Sequence, residues 1–180
     1  MEDARHSGFT LIELLLTVAL VGLLAGLAVP SMAQFADRHR LRGAAEALAQ
    51  ELRQARNHAL SHQKTTYFSV SAPAPQRWCY GWDDKEKCNC QAAQGNADAC
   101  DSGAEGSTRL HRQLSHAYPS VRLSPSRSAS NRYISFHPVR GTATADTLSF
   151  FNDAGELHII VSPLGRVRTC SVSISGYPPC

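Results

Sequence analysis

The sequence predicts an α+β fold in which one long N-terminal helix, apolar and then amphipathic, packs on an antiparallel β-sheet. Leu14 to Phe35 holds no charged residue, which is long enough for a helix to cross a bilayer. Leu41, Ala45, Leu48, Leu52, Ala55 and Ala59 then step by four, three, four, three and four, the spacing of one narrow helical face. Beyond His62 the apolar residues alternate in short segments separated by turn residues, the pattern of half-buried strands.

The apolar run is broken near its start by Glu13. Ionising a carboxylate in such a segment costs about 2.5–3.5 kcal/mol, so Glu13 is read as functional and in need of a partner. A second helical stretch is expected from Pro30 to about His62. Its arginines Arg38, Arg42, Arg53 and Arg56 fall mostly off the apolar face and are expected to be solvated or to face neighbouring subunits. Gly43, Ala44 and Ala45 leave room for another backbone. Strands are expected at Thr65–Val70, Trp78–Trp82, Val121–Leu123, Tyr133–Phe136, Thr147–Phe151, Leu157–Val161 and Arg166–Thr169. Asn152-Asp153-Ala154-Gly155 and Ser162-Pro163-Leu164-Gly165 have turn chemistry. Residues 83–108 lack hydrophobic periodicity and read as an irregular excursion. Trp78, Tyr80 and Trp82 are expected to pack at a core edge rather than to stack on bases.

The glycine, phenylalanine, uncharged run and early glutamate of GFTLIELLLTVALVGLLAGLAV (Gly8–Val29) together resemble the class III signal of type IV pilins and type II secretion pseudopilins. The resemblance implies that prepilin peptidase cuts after Gly8 and methylates the new N-terminal amine of Phe9. Glu13 matches the fifth-position glutamate, which pairs with the terminal amine of a neighbouring subunit during assembly. Pro30 matches the proline at which the helix bends or melts. The leader carries Glu2 and Asp3 against Arg5 and is less basic than usual for the family.

LRQARNHALSHQKTTYFSV (Leu52–Val70) and ISFHPVRGTATADTLSFFNDAGELHIIVSPLGRVR (Ile134–Arg168) resemble the GspH/FimT branch of that family, so the pilin fold is implied. On this reading residues 1–8 are the leader, 9–35 the transmembrane and fibre-core helix, and 36–62 the amphipathic helix of the globular domain. Residues 63–180 are the periplasmic β-rich domain. The implied location is the bacterial inner membrane, single-pass with a periplasmic C-terminal domain, and then a pilus or pseudopilus. The implied partners are prepilin peptidase, other pilins or pseudopilins, and the inner membrane.

The net charge of +3 hides an asymmetry. Asp83, Asp84, Glu86, Asp98, Asp101 and Glu105 crowd one segment. Ser107 to Ala145 holds Arg109, Arg112, Arg122, Arg127, Arg132 and Arg140 with no acid. In Gly165-Arg166-Val167-Arg168, an extended backbone puts both arginines on one side with Cα atoms about 6.5–7 Å apart, near the stride of an extended phosphate backbone. Guanidinium suits phosphate through its planar fork. In FimT-like pilins this element is implicated in DNA binding during natural transformation. The resemblance therefore implies that Arg166, Arg168 and Gly165 serve sequence-independent DNA contact here. The alternatives are a purely structural subunit that primes a pilus or a type II secretion pseudopilus, and an adhesin-like tip whose ligand lies in the 83–105 region.

Six cysteines in an exported segment predict up to three disulfides. Cys170 and Cys180 enclose a short loop and are expected to bridge locally. Cys79, Cys88, Cys90 and Cys100 admit three pairings, which stay open. A four-sulfur zinc site is disfavoured because the paired knuckle spacing is missing. His58 and His62 lie one helical turn apart without a third ligand in sequence and are expected to be exposed. No phosphate-cradling loop, serine elbow or cysteine–histidine context is present. No catalytic residue, metal, cofactor or small-molecule substrate is therefore expected, and the chain is not read as an enzyme.

Overall fold

In the computed structural model, residues 10–84, 87–93, 96, 98–100, 112–125 and 131–180 are described, with only the backbone of 27–31, 125 and 131. Gly8 and Phe9 lie outside them. The chain divides into two compact units, Met1–Ala36 and Asp37–Cys180, both threaded by one helix, α1 (Leu11–His62). Thr10 caps its start by accepting from the Glu13 N–H. The T-x-x-E spacing is that of a capping box. α1 continues through Pro30 instead of ending there. An interior proline costs one hydrogen bond and about 3 kcal/mol relative to alanine, which the 52-residue helix carries without a break in its secondary structure.

In the first unit the described large apolar side chains from Leu11 to Leu24 are all more than half exposed. Among the described residues no helix is long and apolar enough to cross a membrane. The uncharged run continues through 27–31, of which only the backbone is described.

In the second unit, Leu41, Ala45, Leu48, Leu52, Ala55 and Ala59 are fully buried, joined by Ala44 and Ala49. They pack on two four-stranded antiparallel sheets rather than the one sheet expected. The strands are β1 (Thr66–Ala74), β2 (Arg77–Asp83), β3 (Arg112–Leu114), β4 (Arg122–Pro125), β5 (Asn131–Phe136), β6 (Asp146–Asn152), β7 (Gly155–Val161) and β8 (Val167–Cys170). The first sheet has the order β3-β2-β1-β5 and the second β4-β6-β7-β8. The inner face of the first supplies Phe68, Val70, Trp78, Tyr80, Trp82, Ile134 and Phe136. The second supplies Leu123, Leu148, Phe150, Leu157, Ile159 and Val161. Trp78 and Trp82 lie within the core rather than at its edge. Their ring N–H groups donate to Val121 O and Glu51 Oε2, each at 2.9 Å, as buried indoles require.

Three disulfides join Cys79 to Cys90, Cys88 to Cys100 and Cys170 to Cys180. The first fastens the described part of 87–100 to the outer face of β2, and the second closes that excursion on itself. On neighbouring β1, Cys88 Sγ meets Ser69 Oγ and Gln91 donates to Ser71 Oγ. That excursion has one isolated bridge, Asn89 to Ala99, and no strand of its own among the described residues. All four sulfurs are consumed, and among the described residues no group of histidine, cysteine, aspartate or glutamate could hold a metal.

The loop closed by Cys170–Cys180 lies on α1. Arg42 Nη2 donates to Ser175 O at 2.9 Å, and the Tyr177 hydroxyl donates to Glu46 Oε1 at 2.8 Å. Arg42 therefore clamps the tail instead of being solvated. Burial first, and then the bond to Glu46, push the Tyr177 phenol up to about 12 from 10.0. A raised folded-state value means that the protonated phenol favours the folded tail fully below pH 10, and that this contribution is lost as pH rises from 10 to about 12. An ultraviolet difference titration of wild type against Tyr177→Phe is expected to show one phenol ionising near the upper value. A midpoint near 10 would contradict the docking.

Candidate functional site

The β7–β8 connection is built by Ser162-Pro163-Leu164-Gly165. Proline second in a four-residue turn favours type I, and a glycine in the left-handed region closes it as a G1 bulge. Gly165 has φ +72 and its N–H donates to Ser162 O at 2.8 Å. The Arg166 N–H donates to Ser162 Oγ at 3.1 Å, and Arg166 O accepts from Ser162 N–H at 3.0 Å. Arg166 thus belongs to the end of the turn, one residue before the strand expected to contain it. Arg166 and Arg168 are both exposed, and Val167 between them packs against the core.

Gly165 is buried. A β-carbon there would overlap the carbonyl oxygen of Gly141, so its contribution is the close approach of a second turn. That turn, residues 137–142, is closed by Gly141 N–H to His137 O at 3.0 Å and His137 N–H to Thr142 O at 2.8 Å. Gly141 has φ +60. The two turns are tied by Ala143 N–H to Pro163 O at 2.9 Å, and Arg56 Nε of α1 donates to Gly141 O at 3.2 Å. Arg56 was expected to be solvated, but it is half-buried beneath this junction.

The structure brings together only part of the basic segment noted in the sequence. Arg132 is buried on the inner face of β5 and pairs with Asp146 of β6 across the two sheets. Arg122 pairs with Asp153 at 2.7 Å and lies over the Phe151 ring, and Arg112 donates to Ala92 O. Arg109 and Arg127 lie outside the described residues. Arg140 alone sits at the junction of the turns. Among the described residues no ion pair joins a carboxylate to Arg56, Arg140, Arg166 or Arg168. The signal missed in the sequence is a repeat of turn chemistry: HPVRG and SPLGR each hold proline, an aliphatic residue, glycine and arginine.

Elsewhere, His58 and His62 stack with ring centroids 4.0 Å apart. His58 is half-buried against Trp82, with Nε2 3.9 Å from Asp84 Oδ2. His62 is exposed, as expected for both. Glu13 is exposed in the first turn of α1.

A match to the family described as type II transport protein GspH spans residues 44–165. The chain belongs to the GspH family. The prokaryotic N-terminal methylation motif matches residues 3–29, and together the two assign a minor pilin or pseudopilin, anchored in a membrane and assembled with other pilins. The GspH match ends at Gly165, so Arg166 and Arg168 lie just beyond it. Among solved structures this GspH-family chain is similar to the type IV minor pilin FimU of Pseudomonas aeruginosa. The identity is 18% and the TM-score 0.49, over 74% of this chain and 90% of that one. It is also similar to the minor pseudopilin EpsH from the type 2 secretion system of Vibrio cholerae, with 12% identity and TM-score 0.47, over 73% and 97%. No curated relative matches it.

Proposed function

We propose that the chain is a minor pilin of a type IV pilus that contacts DNA through Arg166 and Arg168 during natural transformation. In this reading prepilin peptidase cleaves after Gly8 and methylates Phe9. The subunit waits in the inner membrane with its C-terminal unit in the periplasm, and α1 then carries it into the fibre. Glu13 pairs with a neighbouring subunit's terminal amine.

One observation carries the DNA part: two exposed arginines flank an inward valine on a turn whose geometry is set by Gly165. No described carboxylate neutralises them. Guanidinium groups held in register without internal partners are suited to a phosphate backbone, with affinity that does not depend on base sequence. The GspH family match supports the second reading, a structural subunit of a type II secretion pseudopilus, in which the arginines meet a neighbouring subunit.

The test is titration of the full chain, oxidised and held in nonionic detergent, with duplex DNA between about 50 and 200 mM salt. Wild type is expected to bind with a steep salt slope, and Arg166→Gln or Arg168→Gln to reduce that slope by about 0.9 each. Absence of binding at low salt by folded wild type would favour the structural reading.

A further inference from the structure

We propose that Arg140 is a third phosphate contact beside Arg166 and Arg168, and that Arg56 is a positioning residue holding the Arg140 turn; this rests on the DNA reading above. Gly141 and Gly165 are in contact through the Gly141 carbonyl. Arg140 and Arg166 are each the immediate chain neighbour of one of these glycines. Summing backbone bonds keeps their Cα atoms within about 13 Å, and long side chains can close that gap onto adjacent phosphates.

The spacing exists before any ligand arrives. Each turn is closed by its own backbone hydrogen bonds, and Ala143 N–H to Pro163 O joins them. Arg56 fixes the remaining freedom by donating to Gly141 O from the helix below. A site assembled in advance loses little conformational entropy on binding.

The charge pattern selects a polyanion. Arg140 and Arg166 flank the junction in the chain, Arg56 reaches it from α1 and Arg168 follows in β8, and guanidinium remains charged at any working pH. Elsewhere in this unit Arg132 and Arg122 are matched by Asp146 and Asp153, while Arg42, Arg56 and Arg112 donate to backbone carbonyls. Among the described residues no ion pair joins a carboxylate to any of the four arginines at the junction. A single carboxylate would satisfy one arginine, whereas a phosphate backbone offers successive charges at each step.

The test uses the full chain in nonionic detergent with duplex DNA. Arg140→Gln is expected to leave thermal unfolding unchanged and to reduce the salt slope by about 0.9. The affinity lost between 50 and 200 mM salt would then be about 3.5-fold smaller than for wild type. Arg140→Lys, which keeps the charge, is expected to keep the slope. Arg56→Gln is expected to weaken binding, and Arg140→Gln made in that background to add less than it does alone. That non-additivity separates positioning from general loss of charge. If Arg166→Gln weakens binding while Arg140→Gln leaves the slope unchanged, the third contact is overturned and the DNA reading stands. Additive effects of the Arg56 and Arg140 substitutions would overturn the positioning role. Absence of binding by folded wild type would overturn both the inference and the reading beneath it.

Discussion

Gly165→Ala is expected to lower the stability of the folded unit by about 3 kcal/mol. Roughly 1–2 kcal/mol comes from holding a non-glycine residue in the left-handed region, where φ is +72. The rest comes from forcing a methyl group into the Gly141 carbonyl, an overpacking cost of about 1–3 kcal/mol. For a unit of this size each kcal/mol shifts the melting temperature by about 2–4 °C, so a fall of about 6–12 °C is expected in thermal unfolding of the oxidised chain. Gly176→Ala is the control. Gly176 also has positive φ, at +92, but its nearest neighbour to a β-carbon is Arg42 Nη2 at 3.9 Å. It should therefore carry the conformational cost alone. If both variants melt together, the two turns do not interlock as described.

Asp146→Ala is expected to cost about 3–5 kcal/mol, because it leaves the Arg132 guanidinium buried beside a missing charge. Both partners are more than nine-tenths buried, and the pair links the edge of the first sheet to the second. Replacing both together, as Arg132→Met with Asp146→Leu, is expected to recover most of that loss, since apolar residues of similar volume avoid the desolvation penalty. Denaturant unfolding of wild type and the two variants measures this. A single-variant loss below about 1 kcal/mol would place the pair in solvent-like surroundings.

The α+β architecture was legible because its signals are strong and local. The small and branched apolar face from Leu41 to Ala59 has one helical period, and β7 alternates cleanly after a short turn from β6. β3 was not legible. It has three residues, all half-buried, and is held in place by pairing with β2, a non-local cause. The separation into two sheets also depends on which strands pair at a distance, which periodicity does not encode. The resemblance placed a bend or melted turn at Pro30, yet the helix is continuous there.

The candidate site was half legible. The alternation of Arg166, Val167 and Arg168 gave the exposed pair. Its neighbours did not emerge, because Arg56 and Arg140 are distant in sequence and meet only through the contact of Gly141 with Gly165. Arg132 looked like one more member of a basic segment, and only the register of β5 against β1 turns it inward.

The most direct test of the account is DNA retention by fibres sheared from the source bacterium, comparing wild type with the Arg166→Gln, Arg168→Gln double variant. The account predicts that the subunit, N-methylated at Phe9, is present in both fibre preparations at equal level. Duplex DNA retained by the variant fibres should fall to that of fibres lacking the subunit. Equal retention by wild-type and variant fibres would contradict it, and the arginine pair would then belong to contacts within the fibre.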